Sequence, residues 1–306
     1  MKRRNFISAL ATTGLATSVF PNAKFIKLNS IKNFKISLAQ WSLNKSIKKG
    51  KLPILDFAKK ARSFNIEGIE FVSGLYTRDT DILERISMNS LAKELINRSD
   101  DNGIDNVLFM IDGQGDLASS NKNNRFQAID NHKRWIDFSA KIGCKTMRVN
   151  LNGEKDLKKW TKNSVKSLTT LNEYNENINV VVENHGGLSS NGKYLSNVMS
   201  KVKLKNCGTL PDFGNFCMNG SPWGNCSQMY DRYIGTEELM PYAHAVSAKS
   251  YDFDIEGNET RIDFKRMMEI VKRAGYKGYV GIEYEGNRLS EDEGIIATKK
   301  LLEKFI

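Results

Sequence analysis

The run Ile178-Asn179-Val180-Val181-Val182-Glu183-Asn184-His185-Gly186-Gly187 decides the fold of this chain. Its apolar, β-branched first half predicts a strand that is buried on both faces, as in a parallel sheet. The strand stops at a carboxylate, an amide, an imidazole and two glycines. Two later stretches repeat this form, with Asp212 inside 208–215 and Glu283 inside 278–286. Three predicted strands therefore direct carboxylates toward one edge of a sheet.

Short apolar runs alternate with longer helical patterns from Phe34 onward. Strict alternation indicates a parallel sheet, and eight strand–helix units in about 270 residues match a single (β/α)8 TIM barrel over residues 34–306. A doubly wound sheet is the rival, but it usually carries GxGxxG after the first strand, where Ala39-Gln40-Trp41-Ser42-Leu43 stands. The predicted strands cover residues 36–43, 67–72, 104–111, 145–150, 178–183, 206–211, 243–249 and 278–284.

The composition is that of a folded protein, with 306 residues of which 40% are hydrophobic and 26% charged. A net charge of +11 suggests nucleic acid as a partner. However, the lysines are scattered over nearly every predicted helix instead of forming one stripe, so we do not expect nucleic-acid binding. Beyond the N-terminal segment, no apolar run is long enough to predict a membrane span.

The first 23 residues have the pattern of a secretory signal, with a basic cluster, a modestly apolar run and an exit at Pro21-Asn22-Ala23. The paired arginines before Phe6 resemble a bacterial twin-arginine signal, so we predict a signal peptide over 1–23 and export to the periplasm. The alternative is a disordered basic tail. Cys217 and Cys226 share a predicted loop, and the sequence leaves open whether they pair, which an oxidising compartment would permit.

Polar residues gather at the predicted C-terminal strand ends, which form the catalytic face of such barrels. Three carboxylates, from Glu183, Asp212 and Glu283, would repel one another there unless a cation neutralised them. A divalent metal is the usual solution. Oxygen ligands favour Mg²⁺ or Mn²⁺, and an added imidazole shifts the preference toward Mn²⁺, Co²⁺ or Zn²⁺. The alternative is that each acid pairs with a strand-end cation such as Arg148 or Lys249.

The remaining strand-end residues are candidate substrate ligands. Trp41 suits stacking on a sugar face, whereas Asp112 is alternatively a turn residue. His185 is predicted to contact substrate or metal, with a structural histidine as the alternative, and His132 is predicted to lie on a helix surface. The full set of predicted substrate ligands is Gln40, Trp41, Asp112, Arg148, Asn150, His185 and Lys249.

The motifs VVVENHGG, LPDFGN, AVSAKSYDF and GIEYEG resemble, in this order, those of the xylose-isomerase-like barrel superfamily, or sugar phosphate isomerase/epimerase proteins. Members similar to ketose 3-epimerases bind one divalent metal through Glu, Asp, His and Glu on strands five to eight, and use the glutamates as an acid/base pair. The resemblance implies Glu183 and Glu283 as catalytic metal ligands and Asp212 as a further ligand. Ser247 stands where the histidine is expected and is predicted to be a weaker metal ligand. Glu285 is the alternative to Glu283 for the role on the eighth strand.

The resemblance implies proton transfer next to a carbonyl group, through an enediolate that a metal stabilises. Two carboxylates, one on each face, would remove and return the proton. We therefore expect a metal-dependent isomerase or epimerase that acts on a free or keto sugar, a small-molecule carbohydrate. A lyase or hydratase of 3-keto-glycosides and a non-catalytic sugar-binding barrel are the alternatives. DNA-repair endonucleases that share the barrel gather several metals through many histidines. This chain has only 3 histidines, so we do not expect an endonuclease. The oligomeric state stays open between a monomer and a homo-oligomer.

Overall fold

The computed structural model describes residues 34–220 and 224–305, and the predicted signal peptide lies outside these ranges. Eight strands in the described ranges form one sheet in which every neighbouring pair is parallel. They are β1 (Lys35–Ala39), β2 (Gly68–Val72), β3 (Asp105–Met110), β4 (Thr146–Val149), β5 (Asn179–Glu183), β6 (Cys207–Leu210), β9 (Val246–Ser250) and β10 (Tyr279–Tyr284). A separate antiparallel pair, β7 (Cys217–Asn219) and β8 (Gln228–Met229), lies between β6 and β9 in the chain.

The sheet closes on itself. The strand order runs from β6 down to β1 and then to β10 and β9. Two parallel bridges, Thr209 with Ala243 and Asp212 with Ser247, join the segments of β6 and β9. The single (β/α)8 barrel predicted from the sequence is therefore confirmed, with β9 and β10 as its seventh and eighth strands.

Helices follow the barrel strands, and their ends agree with local capping signals. Helix α5 begins after Ser87, whose side chain accepts from Ser90 N–H, and ends at Gly103, which has a positive φ of 59°. Ser290 and Glu293 form a complete capping box at the last helix. The α-helices are α1 (Asn44–Lys48), α2 (Phe57–Ser63), α3 (Ser73–Thr77), α4 (Ile82–Arg85), α5 (Met88–Asn102), α6 (Lys122–Lys141), α7 (Leu157–Tyr174), α8 (Gly192–Val202), α9 (Arg232–Leu239), α10 (Phe264–Arg273) and α11 (Glu291–Glu303).

The first strand is shorter than the sequence predicted. It ends at Ala39, and Gln40–Leu43 form a 3₁₀ turn instead of continuing the strand. The reason is tertiary, because the Ser42 hydroxyl donates to the carbonyl of Ile282 and accepts from the N–H of Tyr284. The turn is thereby fixed to β10, at the mouth of the barrel.

The segment around β7 and β8 carries a disulfide, which the sequence had left open. Cys217 and Cys226 are bonded, with their Cα atoms 5.8 Å apart, and the other two cysteines are buried free thiols. The antiparallel pair was not predicted from the sequence. Among the helices of residues 34–220 and 224–305, none is both long and apolar enough to cross a membrane.

Candidate active site

The C-terminal ends of β5, β6 and β10 bring three acids together. Glu183 ends β5, Asp212 follows β6, and Glu283 lies near the end of β10. Each contributes one carboxylate oxygen to a group in which all these atoms lie within 4.8 Å of one another, and all three residues are buried. We call these residues the acid cluster. Its composition is the set of acids that the sequence predicted, and it has the ligand type and spacing to hold a divalent metal ion.

Two asparagines, which the sequence interpretation passed over, fix the acid cluster. The side-chain amide of Asn215 donates to Oε1 of Glu183 at 2.8 Å, and its backbone N–H donates to Oδ1 of Asp212 at 2.8 Å. Asn184 donates to the carbonyl of Asp212 at 2.9 Å and accepts from its N–H at 2.7 Å. Each asparagine follows an acid of the cluster closely in sequence, and this proximity is the sequence signal that could have identified it.

Ser247 lies between two of the acids. Its hydroxyl is 2.6 Å from Oδ2 of Asp212 and 2.9 Å from Oε2 of Glu283. A hydroxyl has one proton to donate, so one of the two carboxyl groups must be protonated if both contacts are hydrogen bonds. Burial raises the pKa of Asp212 to about 8 although Lys249 opposes the rise. Burial also opposes ionisation of Glu283, but Lys249 lowers its pKa below the usual value. Asp212 therefore carries the proton near neutral pH.

Two buried cations compensate part of the negative charge. The Lys249 ammonium lies 2.8 Å from Glu283, 3.3 Å from Glu285 and 3.7 Å from Asp212. Arg148 places Nε 2.9 Å from Oε2 of Glu183. The alternative in which strand-end cations pair with the acids is thus realised in part. With all its acids ionised, the site would nevertheless hold five carboxylates against two cations, which leaves enough negative charge for a divalent ion. The carboxylates are those of Asp112, Glu183, Asp212, Glu283 and Glu285, and the cations are Arg148 and Lys249.

Asp112 and Asn150 form a second polar group beside Arg148. Oδ1 of Asp112 accepts from Arg148 at 2.7 Å and from Asn150 at 3.0 Å. Burial opposes ionisation of Asp112, but Arg148 lowers its pKa below the usual value. Within the described part of the chain, the buried Oδ1 of Asn150 has no hydrogen-bond partner. Asp112 is therefore part of the strand-end network and not merely a turn residue.

Gln40 and Trp41 have contacts within the protein. The Gln40 amide donates to the Tyr76 hydroxyl at 2.9 Å and accepts from the N–H of Val72 at 3.2 Å, so both of its ends are engaged. The Trp41 side chain is hydrogen-bonded to Glu285, which places it beside the acids. Lys48 lies 4.5 Å from the centroid of the Trp41 ring.

Two of the histidines differ in burial. His185 is exposed at the mouth and does not belong to the group of potential metal ligands within the described residues. His132 is buried, and its Nδ1 lies 2.7 Å from the carbonyl of Ala128. The prediction of a surface position for His132 was wrong because this face of α6, which also carries Trp135, packs against the barrel. Burial lowers the pKa of His132 to about 4, which keeps the imidazole neutral.

Glu70 is a further buried acid and lies on β2. It accepts from the Ser37 hydroxyl at 2.5 Å and faces Gly281, where a Cβ atom would collide with its carboxylate. Burial raises the pKa of Glu70 to about 7, although the bond from Ser37 opposes the rise. The carboxyl group inside the barrel therefore holds its proton up to near-neutral pH.

This pKa makes stability depend on pH. Because the folded protein retains a proton that the unfolded chain releases above about pH 4.5, Glu70 contributes stability at low pH that is lost as the pH rises toward 7. The rise from 4.5 to about 7 corresponds to about 3 kcal/mol. Glu70→Gln is expected to remove this part of the pH dependence in urea unfolding at pH 4.5 and pH 8. Retention of the wild-type slope would show that Glu70 does not titrate in this way.

Comparisons with known proteins agree with this architecture. The family model described as xylose isomerase-like TIM barrel matches residues 58–305. The fold is similar to that of 3-keto-D-glucoside 4-epimerase from E. coli, with a TM-score of 0.66 at 13% identity over 89% of this chain and 99% of that one. L-ribulose 3-epimerase gives a TM-score of 0.68 at 14% identity, over 89% and 94%. The IOLI protein with a bound zinc atom gives 0.64 at 14% identity, over 89% and 98%.

A curated relative matches a shorter part of the chain. The C-glycoside deglycosidase alpha subunit of Arthrobacter globiformis is 38% identical over 66 residues, which is 21% of this chain and 19% of that protein. The matched part is thus about a fifth of the relative's length. Because the family model spans most of the barrel, from residue 58 to residue 305, the chain belongs to the xylose isomerase-like TIM barrel family.

Proposed function

We propose that this protein is a metal-dependent enzyme that isomerises or epimerises a free or keto sugar by moving a proton on the carbon next to a carbonyl group. The observation that carries the proposal is the buried acid cluster, whose three carboxylates lie within 4.8 Å of one another at the catalytic face of the barrel. Two structurally similar proteins are named as sugar epimerases, which supports a carbohydrate as the substrate.

Glu183, Asp212 and Glu283 would hold the metal, with the Ser247 hydroxyl near the place that a histidine occupies in related sites. A neutral hydroxyl is a weak ligand, and an all-oxygen set favours Mg²⁺ or Mn²⁺ over Co²⁺ or Zn²⁺. When bound, such an ion polarises a carbonyl group and stabilises the negative charge that develops on its oxygen.

The two glutamates would divide the proton transfer. Glu183 lies on β5 and Glu283 on β10, and β6 and β9 stand between these two strands around the barrel. The two glutamates therefore reach the mouth from different sides. Arg148 and Asn215 orient Glu183, whereas Lys249 and Ser247 orient Glu283. One carboxylate would accept the proton from the substrate carbon and the other would return it, to the opposite face in an epimerase. Asp112, Asn150 and His185 would contact substrate hydroxyls.

Metal binding is expected to stabilise the protein and release protons. Asp212, whose pKa burial raises to about 8, must lose its proton to become a ligand, so binding at pH 7 should liberate protons. A metal at 100 times its Kd raises the free energy of unfolding by about 2.7 kcal/mol. Titration of metal-stripped protein with Mn²⁺, followed by thermal unfolding and calorimetry in two buffers, measures both effects. Asp212→Asn should abolish them, and a wild type that binds no divalent ion contradicts the proposal.

The reaction itself is tested in heavy water. A panel of free and 3-keto sugars, incubated with the metal-supplemented protein, should show deuterium entering at the carbon beside the carbonyl while the carbon skeleton stays whole. The match to a deglycosidase subunit favours a second candidate, a lyase that acts on 3-keto-glycosides. In that case NMR would detect the separated aglycone. A bound sugar without any exchange would identify a non-catalytic sugar-binding barrel.

Export to the periplasm is part of the proposal. The twin-arginine-like pattern over residues 1–23 motivates it, and the bond between Cys217 and Cys226 supports it because disulfides persist in oxidising compartments. Mass analysis of the protein from the periplasmic fraction of its bacterial host would test both the cleavage and the compartment.

A further inference from the structure

A small pocket lies beside the acid cluster, between the loops that follow β9 and β10. Its volume is about 230 Å³, and Glu285 is part of its wall. The same carboxylate lies 3.3 Å from the Lys249 ammonium, which is itself 2.8 Å from Glu283. A ligand that contacts Glu285 in this pocket would therefore be linked through Glu285 and Lys249 to Glu283, a proposed catalytic acid. We call this cavity the Glu285 pocket.

The Glu285 pocket is built rigidly. The buried Glu259 carboxylate accepts backbone N–H groups from Tyr251 at 3.0 Å and from Arg261 at 2.6 Å, and so ties together the two ends of the loop that forms one wall. On the other wall, Gly286 lies so close to the carbonyl of Tyr251 that any side chain would collide with it. These contacts hold the pocket in shape without a ligand, as in preformed small-molecule sites.

The lining of the pocket suits an uncharged polar ligand. Two arginines, Arg261 and Arg288, face two acids, Asp252 and Glu285, so the formal charges cancel. Arg288 is already engaged, since its Nε lies 2.7 Å from Asp252. A phosphate or carboxylate ligand would gain no net attraction here.

Aromatic and hydrogen-bonding groups complete the lining. Tyr251 adds an aromatic ring, and Thr260 and Asn287 add groups that can donate and accept hydrogen bonds. The volume is below the roughly 300–1,000 Å³ of pockets that enclose drug-sized ligands, so it fits a single small ring.

We propose that the Glu285 pocket binds the second sugar ring of a glycoside, while the first ring lies over the acid cluster. This inference rests on the proposed function and specifies its substrate class as a keto glycoside with a sugar as its aglycone. A free monosaccharide would leave the pocket empty and lose the binding contributed there. Glu285, which lines the pocket, would contact the ring through its carboxylate.

The test compares sugars of one and two rings on Glu183→Gln protein, which should bind without turning over. The probes are 3-keto methyl glucosides and 3-keto glucose disaccharides that cover the α and β linkages. At least one disaccharide should bind tenfold or more tightly than the methyl glucoside with the same anomeric configuration. Arg261→Ala should remove this gain, and Asn287→Ala should reduce it. Arg266→Ala, which removes an arginine stacked on Tyr233 outside the pocket lining, should keep it.

Equal affinity for one and two rings, or a gain that survives Arg261→Ala and Asn287→Ala, would overturn the inference. Circular dichroism and the affinity for the methyl glucoside show whether each variant is folded. Deuterium exchange by the wild type, measured on the methyl glucoside, separates the two proposals. Exchange without a disaccharide gain rejects only the pocket, whereas a complete absence of exchange on all probes rejects the proposed reaction.

Discussion

Replacement of either proposed acid/base residue, in Glu183→Gln or in Glu283→Gln, is expected to lower the rate of deuterium exchange next to the carbonyl by about 10²- to 10⁴-fold. An amide has nearly the shape of the carboxylate but cannot accept a proton from carbon. It is also a weaker metal ligand, so the rates are compared at saturating Mn²⁺. NMR of the sugar in heavy water measures the exchange directly.

The control for this loss is Glu237→Gln, which removes a carboxylate from an exposed ion pair with Arg273 on the outer surface. That variant should exchange at the wild-type rate. If Glu183→Gln and Glu283→Gln, shown to be folded and metal-loaded, exchange within threefold of the wild type, the acid cluster is not the site of proton transfer. Loss in only one variant would mean that a single carboxylate removes and returns the proton, as in an isomerase that works on one face.

Removal of the buried ammonium in Lys249→Met is expected to destabilise the protein by about 3–5 kcal/mol, the usual cost of leaving a buried partner charge uncompensated. Lys249 is 2% exposed and contacts three carboxylates. Burial alone would raise the pKa of Glu283, and the ammonium is the chief group that lowers it. Without Lys249 this acid would resist ionisation.

The pH dependence distinguishes this loss from a simple packing defect. In the variant, the pKa of Glu283 in the folded state should rise above its ordinary value of 4.5, so the folded protein binds more protons than the unfolded chain. Stability should then fall as the pH rises above about 4.5, and most of the deficit should vanish at lower pH. Urea unfolding of both proteins, each at pH 4 and pH 8, measures this.

Lys93→Met, at an exposed position of α5, is the matched control and should change stability by less than about 0.5 kcal/mol. The double variant Lys249→Met/Glu283→Gln should recover part of the loss, because it removes the charge that the ammonium compensated. A deficit of equal size at both pH values, with no recovery in the double variant, would assign Lys249 a packing role only.

The strands and helices could be predicted because their signals are local. The apolar run before Glu183 and the glycine after Asn102 each act within a few residues of the chain. Ser42 shows where this reasoning stops. Its hydroxyl bonds to β10, more than two hundred residues away in sequence, and that contact ends β1 at Ala39. His132 was misplaced for the same reason, since helical spacing alone did not reveal which face of α6 is covered.

The sequence by itself determined the barrel and the three acids, because each acid ends an apolar strand and parallel strands end at one edge. Only the tertiary structure decided how those acids are held. Asn215 bridges Glu183 and Asp212 through its side-chain amide and its backbone N–H, respectively. Lys249 binds Glu283 and Glu285. These contacts form when distant strands close into a ring. The alternation of strand and helix follows from patterns of neighbouring residues. Charge compensation depends instead on distances across the closed barrel, and no pattern along the chain specifies those distances.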